Sequence, residues 1–480
     1  MVGSRRATGR CYSCAMQDLP DDPAPSTWED PIAAGAEGPP EFAHAGLSFP
    51  VLHEEAAAEM AAEDWALTEA IAAEAGWMQE ILARLVEKPT TLGNEEPGQA
   101  VVREAIRELD LDPVDVVMDA EALRAHPLAS PFDWDVDDKT NVVARWEPEG
   151  GTDGRSLILN GHIDVVSPEP RSQWRRDPFV AHVEDGWLYG RGAADMKCGL
   201  AAILGAIKGL RTAGVRLHAP VTVESVVEEE CTGNGTLQTI LAGYGGDAAV
   251  IAEPFGAAIT TSQVGVLWFQ VKIEGVAGHA AADGHAVNAI EESLKTIQAL
   301  RVLEAELNAD PPPPYDAYRH PIGLNVGTIH GGDWASTVPG ECVTGYRIAL
   351  YPGMRVRDLQ HRIEAIVAGI AADDPALFAS PPQVVYGGFR CEGYQIEQDH
   401  PVVTTLSGAY ARHVGAPPAL VATTSTTDAR MFGTAADIPS VCFGPYAEEA
   451  HGVGERVYLP GVVQAAQVLG LFIRDWCGLS

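Results

Sequence analysis

The chain has 480 residues, and its 32 basic against 67 acidic side chains give a formal charge of −35 at pH 7. That excess excludes nucleic acid as a partner, because phosphate binding rests on Lys and Arg, and it repels anionic membranes. With 46% apolar residues and 21% charged the chain can bury large cores, and its 8 scattered Cys form no disulfide framework. No apolar run is long enough to span a bilayer, and the basic start MVGSRRATGRCYSC lacks an apolar signal core. The expectation is a soluble, cytoplasmic, multidomain protein.

Residues 1–50 are rich in Pro, Ala, Gly and Asp and read as a flexible N-terminal tail, in which Cys11 and Cys14 form a lone, idle pair. Helical spacing begins near Glu55 and runs through Trp65, Ile71, Trp77, Ile81 and Leu85, followed by a second helix from Gly98 to Leu109. Strands are expected at Asn141 to Trp146, Ser156 to Leu159, Val221 to Val227 and Ala248 to Ile251. The clearest helix between them carries Met196, Leu200, Ile203, Leu204, Ile207 and Leu210 on one face. Such alternation points to an α/β sheet covered on both faces.

From Val264 the pattern changes. Strands at Val264 to Glu274, Ile322 to Ile329, Val343 to Leu350 and from Gln383 to Tyr386 enclose helices at Val287 to Leu307 and Val356 to Ala371. The order βαββαβ is ferredoxin-like and reads as an inserted domain. The α/β pattern resumes after His400, with a strand at Ser440 to Phe443 and a helix from Gly461 to Trp476. The expected organisation is a tail at 1–50, a catalytic domain in two parts at 51–262 and 397–480, and an inserted domain at 263–396.

Five segments place an acid or an imidazole just beyond an apolar strand, where open α/β sheets bind ligands. They are LILNGHIDVV with His162 and Asp164, LYGRGAADMKCG with Asp195, SVVEEECTGNGT with Glu228 to Glu230, VIAEP with Glu253, and FGPYAEEAHG with His451. Singly, each acid is as well explained as a helix cap or a solvated loop residue. Together, carboxylates crowded at a buried strand end repel unless a cation offsets them, and two imidazoles with three carboxylates suit two divalent ions.

The stretch GHIDVV…W…DPF…DGWLYGRGAADMK resembles the co-catalytic zinc amidohydrolases that include acetylornithine deacetylase, succinyl-diaminopimelate desuccinylase, aminoacylase and glutamate carboxypeptidase. The resemblance covers roughly residues 65 to 480. It implies a mixed-sheet metallopeptidase domain with a lid that pairs with its twin in a homodimer. It implies two divalent ions, zinc first with cobalt or manganese as alternatives, held by His162, Asp195, Glu230, Glu253 and His451, with Asp195 bridging. Asp164 is implied as the carboxylate that orients His162, and His279 as a lid histidine that donates to the oxyanion.

In the family pattern, Gly lies five residues after the metal-binding acid. Gly235 and Thr236 then make Glu230 the ligand and Glu229 the general base; a register one earlier exchanges these roles. Strand alternation supports the division. The lid departs from the pattern at Ala349, where many relatives carry an Arg that holds a substrate carboxylate. Arg347, Arg430 and Asn288 are the substrate-binding candidates, and a substrate without an α-carboxylate is the alternative. Cys198 stands where Gly is usual and reads as a neutral replacement. The implied activity is hydrolysis of a small N-acyl substrate by a deacylase, with a dipeptidase or carboxypeptidase as runner-up.

Overall fold

The computed structural model describes residues 60–151, 153–256, 258–281, 285–373 and 380–479. The expected tail, with its Cys pair, lies outside the described residues. The single helical run expected from Glu55 is two helices, α1 (Ala62–Ala72) and α2 (Ala75–Val86), and Trp65 is exposed rather than part of the core face. They are followed by α3 (Glu96–Glu108), β1 (Val114–Val117), α4 (Ala120–Ala125), β2 (Thr140–Trp146) and β3 (Leu157–His162). The short strands β4 (His182–Glu184) and β5 (Trp187–Tyr189) precede the central helix α5 (Lys197–Thr212). Then come β6 (Val221–Val226), α6 (Asn234–Leu241), β7 (Ala248–Ile251) and β8 (Ala258–Gln263).

The inserted unit contains β9 (Gly265–Glu274), β10 (Gly278–His279), α7 (Ala289–Leu307), β11 (Leu324–Gly331), β12 (Thr337–Val338), β13 (Glu341–Leu350), α8 (Val356–Asp373) and β14 (Ser380–Cys391). Its main sheet runs β11-β13-β9-β14, the strand arrangement of a ferredoxin-like unit. One face, with Leu267, Phe269, Ile348 and Leu350, packs against Leu300 of α7 and Ile363 of α8 in a core of its own. The chain returns through β15 (Tyr394–Gln395), α9 (Pro401–Val414), β16 (Ala419–Thr423), α10 (Ala429–Ala436), β17 (Ser440–Cys442), β18 (Ala447–Glu448), β19 (Arg456–Tyr458) and α11 (Leu459–Cys477).

The central sheet has nine strands in the order β1-β2-β6-β3-β7-β17-β8-β15, with β16 also on β8. Strands β6, β3, β7 and β17 are mutually parallel, so their carboxyl ends open on one edge. They read as continuous apolar runs because helices cover both faces of a parallel sheet. Helix α5 is buried along nearly its whole length, and at Gly199 a Cβ would stand 2.0 Å from the carbonyl oxygen of Ala252. Only glycine lets the helix lie that close to the end of β7, next to Glu253.

Candidate metal centre

All five ligand candidates gather at that carboxyl edge. His162 ends β3, Glu253 follows β7 by two residues, Asp195 precedes α5, Glu230 follows β6, and His451 lies in the β18–β19 loop. His162 Nδ1 donates to the main-chain oxygen of Asp164 at 2.9 Å, which leaves Nε2 facing Asp195 Oδ1 at 3.0 Å. The other Asp195 oxygen, Oδ2, stands 3.3 Å from His451 Nε2, and that nitrogen is 3.1 Å from Glu230 Oε1. Asp195 therefore presents one oxygen to each imidazole. Two trios, His162–Asp195–Glu253 and Asp195–Glu230–His451, each bring one donor atom per residue within 4.8 Å of one another. They share Asp195.

The electrostatics fit cations. Burial and neighbouring carboxylates hold the carboxyls of Glu253 and Glu229 well above their ordinary range, against the pull of His162. Burial works the same way on Asp195, but hydrogen bonds from His162 and His451 outweigh it and hold that carboxyl low. Four acids thus converge on one spot, with two imidazoles and the Arg430 guanidinium beside Glu229 as their neighbouring positive partners. The donor set is all nitrogen and oxygen, as divalent zinc, cobalt or manganese accept.

The three consecutive glutamates separate differently from the expectation. Strand β6 ends at Val226, and Glu228 has φ +63°, so the triplet lies in a turn and strand alternation does not govern it. Glu228 is withdrawn into a buried polar nest: Lys139 Nζ reaches its Oε1 at 2.8 Å, Trp134 Nε1 donates at 2.8 Å, and Thr232 donates to Oε2 at 3.0 Å. Glu229 lies beside the first trio, with Oε2 3.9 Å from His162 Nε2. Its buried Oε1 has no hydrogen-bond partner among the described residues. Glu230 joins the second trio.

Asp164 acts in two ways. Its carbonyl, not its carboxylate, holds His162; the carboxylate stands 3.7 Å from Nδ1. Its two carboxylate oxygens accept the backbone amides of Glu229 at 3.2 Å and Glu230 at 3.0 Å. It therefore positions the glutamate turn as well as the histidine. Burial and nearby Glu230 raise its carboxyl to about 7, against His162.

The substrate-binding candidates fare unevenly. Asn288 caps α7, accepting from the amides of Ile290 and Glu291 at 3.0 and 3.4 Å, so it is spent on helix initiation. Arg430 is buried, donates to the carbonyls of Thr427 and Thr232, and stands 3.8 Å from Glu229 Oε1. Arg347 does line a cavity on the inserted sheet, directly opposite Trp268 on β9. His279 sits on β10 at the tip of the inserted unit, where Nδ1 accepts the Ala281 amide at 3.1 Å, a bond within its own loop.

Sequence reasoning missed three supports. Glu455 is buried and accepts the amides of Ala194 and Asp195 at 3.0 and 3.1 Å, while its other oxygen binds Arg191. Arg191 also donates to the carbonyl of His451 at 3.1 Å. Lys197 Nζ donates at 2.9 Å to the carbonyls of Leu85 and Lys88, satisfying the C-terminus of α2. Arg191 and Lys197 both lie in the stretch GRGAADMK, where only Asp195 is assigned a role from the sequence.

A parallel-stranded carboxyl edge lined with a shared-carboxylate N/O cluster defines a metal-dependent hydrolase. The chain belongs to the peptidase family M20/M25/M40, whose family model matches residues 158–475. It is 31% identical over 369 residues to an N-formyl-4-amino-5-aminomethyl-2-methylpyrimidine deformylase of Halalkalibacterium halodurans, covering 72% of this chain and 85% of that protein. It is 29% identical over 339 residues to a succinyl-diaminopimelate desuccinylase of Paracoccus denitrificans, covering 68% and 84%. Among solved structures, the di-peptidase Dug1p of Saccharomyces cerevisiae superimposes with a TM-score of 0.70 at 14% identity, over 86% of this chain and 98% of that one. That last likeness is one of fold. No described helix is long and apolar enough to cross a membrane.

Proposed function

We propose that the protein is a dinuclear metal-dependent deacylase that hydrolyses the amide bond of a small N-acyl amine. The observation that carries this reading is the placement of the two Asp195 oxygens, one toward each imidazole. In this reading His162, Asp195 and Glu253 hold one ion, and Asp195, Glu230 and His451 hold the other, with zinc the first choice. Bound there, such a pair supplies Lewis acidity and an acidified water.

The chain's own residues do the rest. Glu229, whose Oε2 stands 3.9 Å from His162 Nε2, accepts the water's proton and returns it to the departing nitrogen, without which an amine leaves poorly. Arg430 fixes the far side of that carboxylate, and Asp164 fixes its backbone amide. His279 supplies an oxyanion donor from a second copy of the chain, paired through the inserted unit, whose edge strand β11 is largely exposed. The relatives named for deformylation and desuccinylation support a non-peptide amide, as does Ala349 in place of a carboxylate-holding Arg. A panel of N-formyl, N-acetyl and N-succinyl amines beside dipeptides, assayed on metal-reconstituted protein, tests this. Preferential cleavage of dipeptides into amino acids would replace the deacylase reading with the dipeptidase one.

A further inference from the structure

Residues 127–134 run as irregular backbone between α4 and β2, and they bond to two distant parts of the chain. One is β14, the last strand of the inserted unit. Its Gly388 amide donates to the carbonyl of Pro131 at 2.8 Å, and its Arg390 amide donates to Ser130 Oγ at 3.1 Å. The Arg390 guanidinium donates to the carbonyls of Ala129 and Pro127 at 2.6 and 3.3 Å. Gly388 has φ +76° and lies where the pairing of β14 with β9 shifts register, between Tyr386 and Arg390. A bulge leaves a residue without a ladder partner, which frees the Gly388 amide for the facing carbonyl.

The other part is the turn that carries Glu229 and Glu230. The Ser130 hydroxyl donates to the carbonyl of Thr232 at 2.8 Å, and Trp134 Nε1 donates to Glu228 at 2.8 Å. The side-chain amide of Asn234 pairs with the Ser130 backbone, accepting its N–H at 3.0 Å and donating to its carbonyl at 3.0 Å. Within the turn the carbonyl of Glu228 accepts the amides of Thr232 and Gly233 at 3.0 and 2.7 Å. Glu229 and Glu230 thus sit inside one closed loop, and Thr232 cannot shift without them.

Ser130 belongs to both sets. It is 1% exposed, and its N–H, its carbonyl and its hydroxyl are all engaged. The hydroxyl gives its one proton to the turn and takes the insert's amide on a lone pair, a double role open to a group that both donates and accepts. A buried polar network satisfied in this way fixes one geometry. The Thr232 carbonyl that Ser130 holds also accepts from Arg430 at 3.3 Å, the guanidinium beside Glu229.

We propose that Ser130 is a positioning residue for the base, setting Glu229 from the position of the inserted unit. It acts through Thr232 and Asn234 rather than on the reacting atoms. This inference rests on the reading of Glu229 as the base of an amide hydrolase. A seated insert then aligns the base of its own subunit while it offers His279 to the other.

The test measures kcat, KM and metal content on zinc-reconstituted protein, with the best substrate of the N-formyl, N-acetyl and N-succinyl amine panel. Ser130→Ala removes the hydroxyl and keeps the backbone pair with Asn234. It should lower kcat by about tenfold to a hundredfold, the cost of a misplacement of about 1 Å, while KM stays within about twofold and both metals remain. Arg390→Met cuts the link from the insert's side, at a half-buried side chain, and should lower kcat with the same split. Because the two links act in series, the double variant should be no slower than the slower single one. If Ser130→Ala does not fold, Arg390→Met decides by the same split. An unchanged kcat, a loss that comes with lost metal, or losses that multiply in the double variant would overturn the role of Ser130 and leave the amidase reading standing. Silence of the native protein toward every amide overturns that reading and this inference together.

Discussion

Arg191 and Glu455, 264 residues apart in sequence, form a buried ion pair at 2.5 Å. Glu455 holds the backbone of Asp195, and Arg191 holds the carbonyl of His451, so one pair aligns a member of each trio. Glu455→Ala leaves the Arg191 charge buried and unpaired, a loss of about 3–5 kcal/mol. Denaturant titration should show that loss, and metal content should fall toward one equivalent per chain. A variant that keeps two equivalents would show that the pair does not align the site.

Substitutions at the cluster should sort by role. Glu229→Gln removes a proton acceptor and no ligand, so both metals should stay while turnover falls by about 10²–10⁴. Glu230→Gln should lose the second metal alone, and Asp195→Asn should weaken both. Metal analysis beside kinetics separates these outcomes. Loss of metal in Glu229→Gln with retention in Glu230→Gln would exchange the two assignments.

His279 should act across a dimer. His279→Ala should lower turnover by about 10²–10³ while leaving metal affinity nearly unchanged. Mixed with inactive Glu229→Gln chains, it should recover activity, because one site of the heterodimer regains both groups. Heterodimers that form and stay silent would remove His279 from the partner's site.

Stability should fall in acid through His413. Burial in α9 holds this ring's pKa down at about 4, against an ordinary value of 6.5. The unfolded chain binds a proton there at a higher pH than the folded one, so the contribution is complete above pH 6.5. It is lost as pH falls toward 4, by about 3 kcal/mol in total. His413→Leu should flatten the stability profile across that window. An unchanged slope between pH 6.5 and 4 would mean that another group sets it.

The sheet and the inserted unit were legible because their strands follow simple apolar periods. Ala248 to Ile251 is a strand with the bounds its sequence suggests, and the βαββαβ order of the insert is as read. The five cluster residues were legible because each follows, or precedes, an apolar element at one sheet edge. What failed was local inference at places governed by distant contacts. Glu228 is held outside the trios by Thr232, four residues on, and by Lys139 and Trp134, which are far away in sequence. Asn288 reads equally as a substrate group or a helix cap until the helix start is seen. Arg430 reads from the sequence as a substrate-binding candidate, yet it is buried against Glu229. Glu455 gave no signal, since its partners are an Arg and two backbone amides on the far side of the chain.

The chain leaves the central sheet at β8 and re-enters it at β15, and those two strands are antiparallel neighbours, with Tyr394 registered on Gln263. The excursion of the insert therefore begins and ends at one seam. A short turn joining Gln263 to Tyr394 would make an ordinary hairpin and leave every strand of the central sheet in place. All five cluster residues, the glutamate turn and the Arg191–Glu455 pair lie outside the excised stretch. The residues of the metal cluster and the insert thus occupy separable stretches of the chain, with His279 the proposed catalytic group carried by the insert.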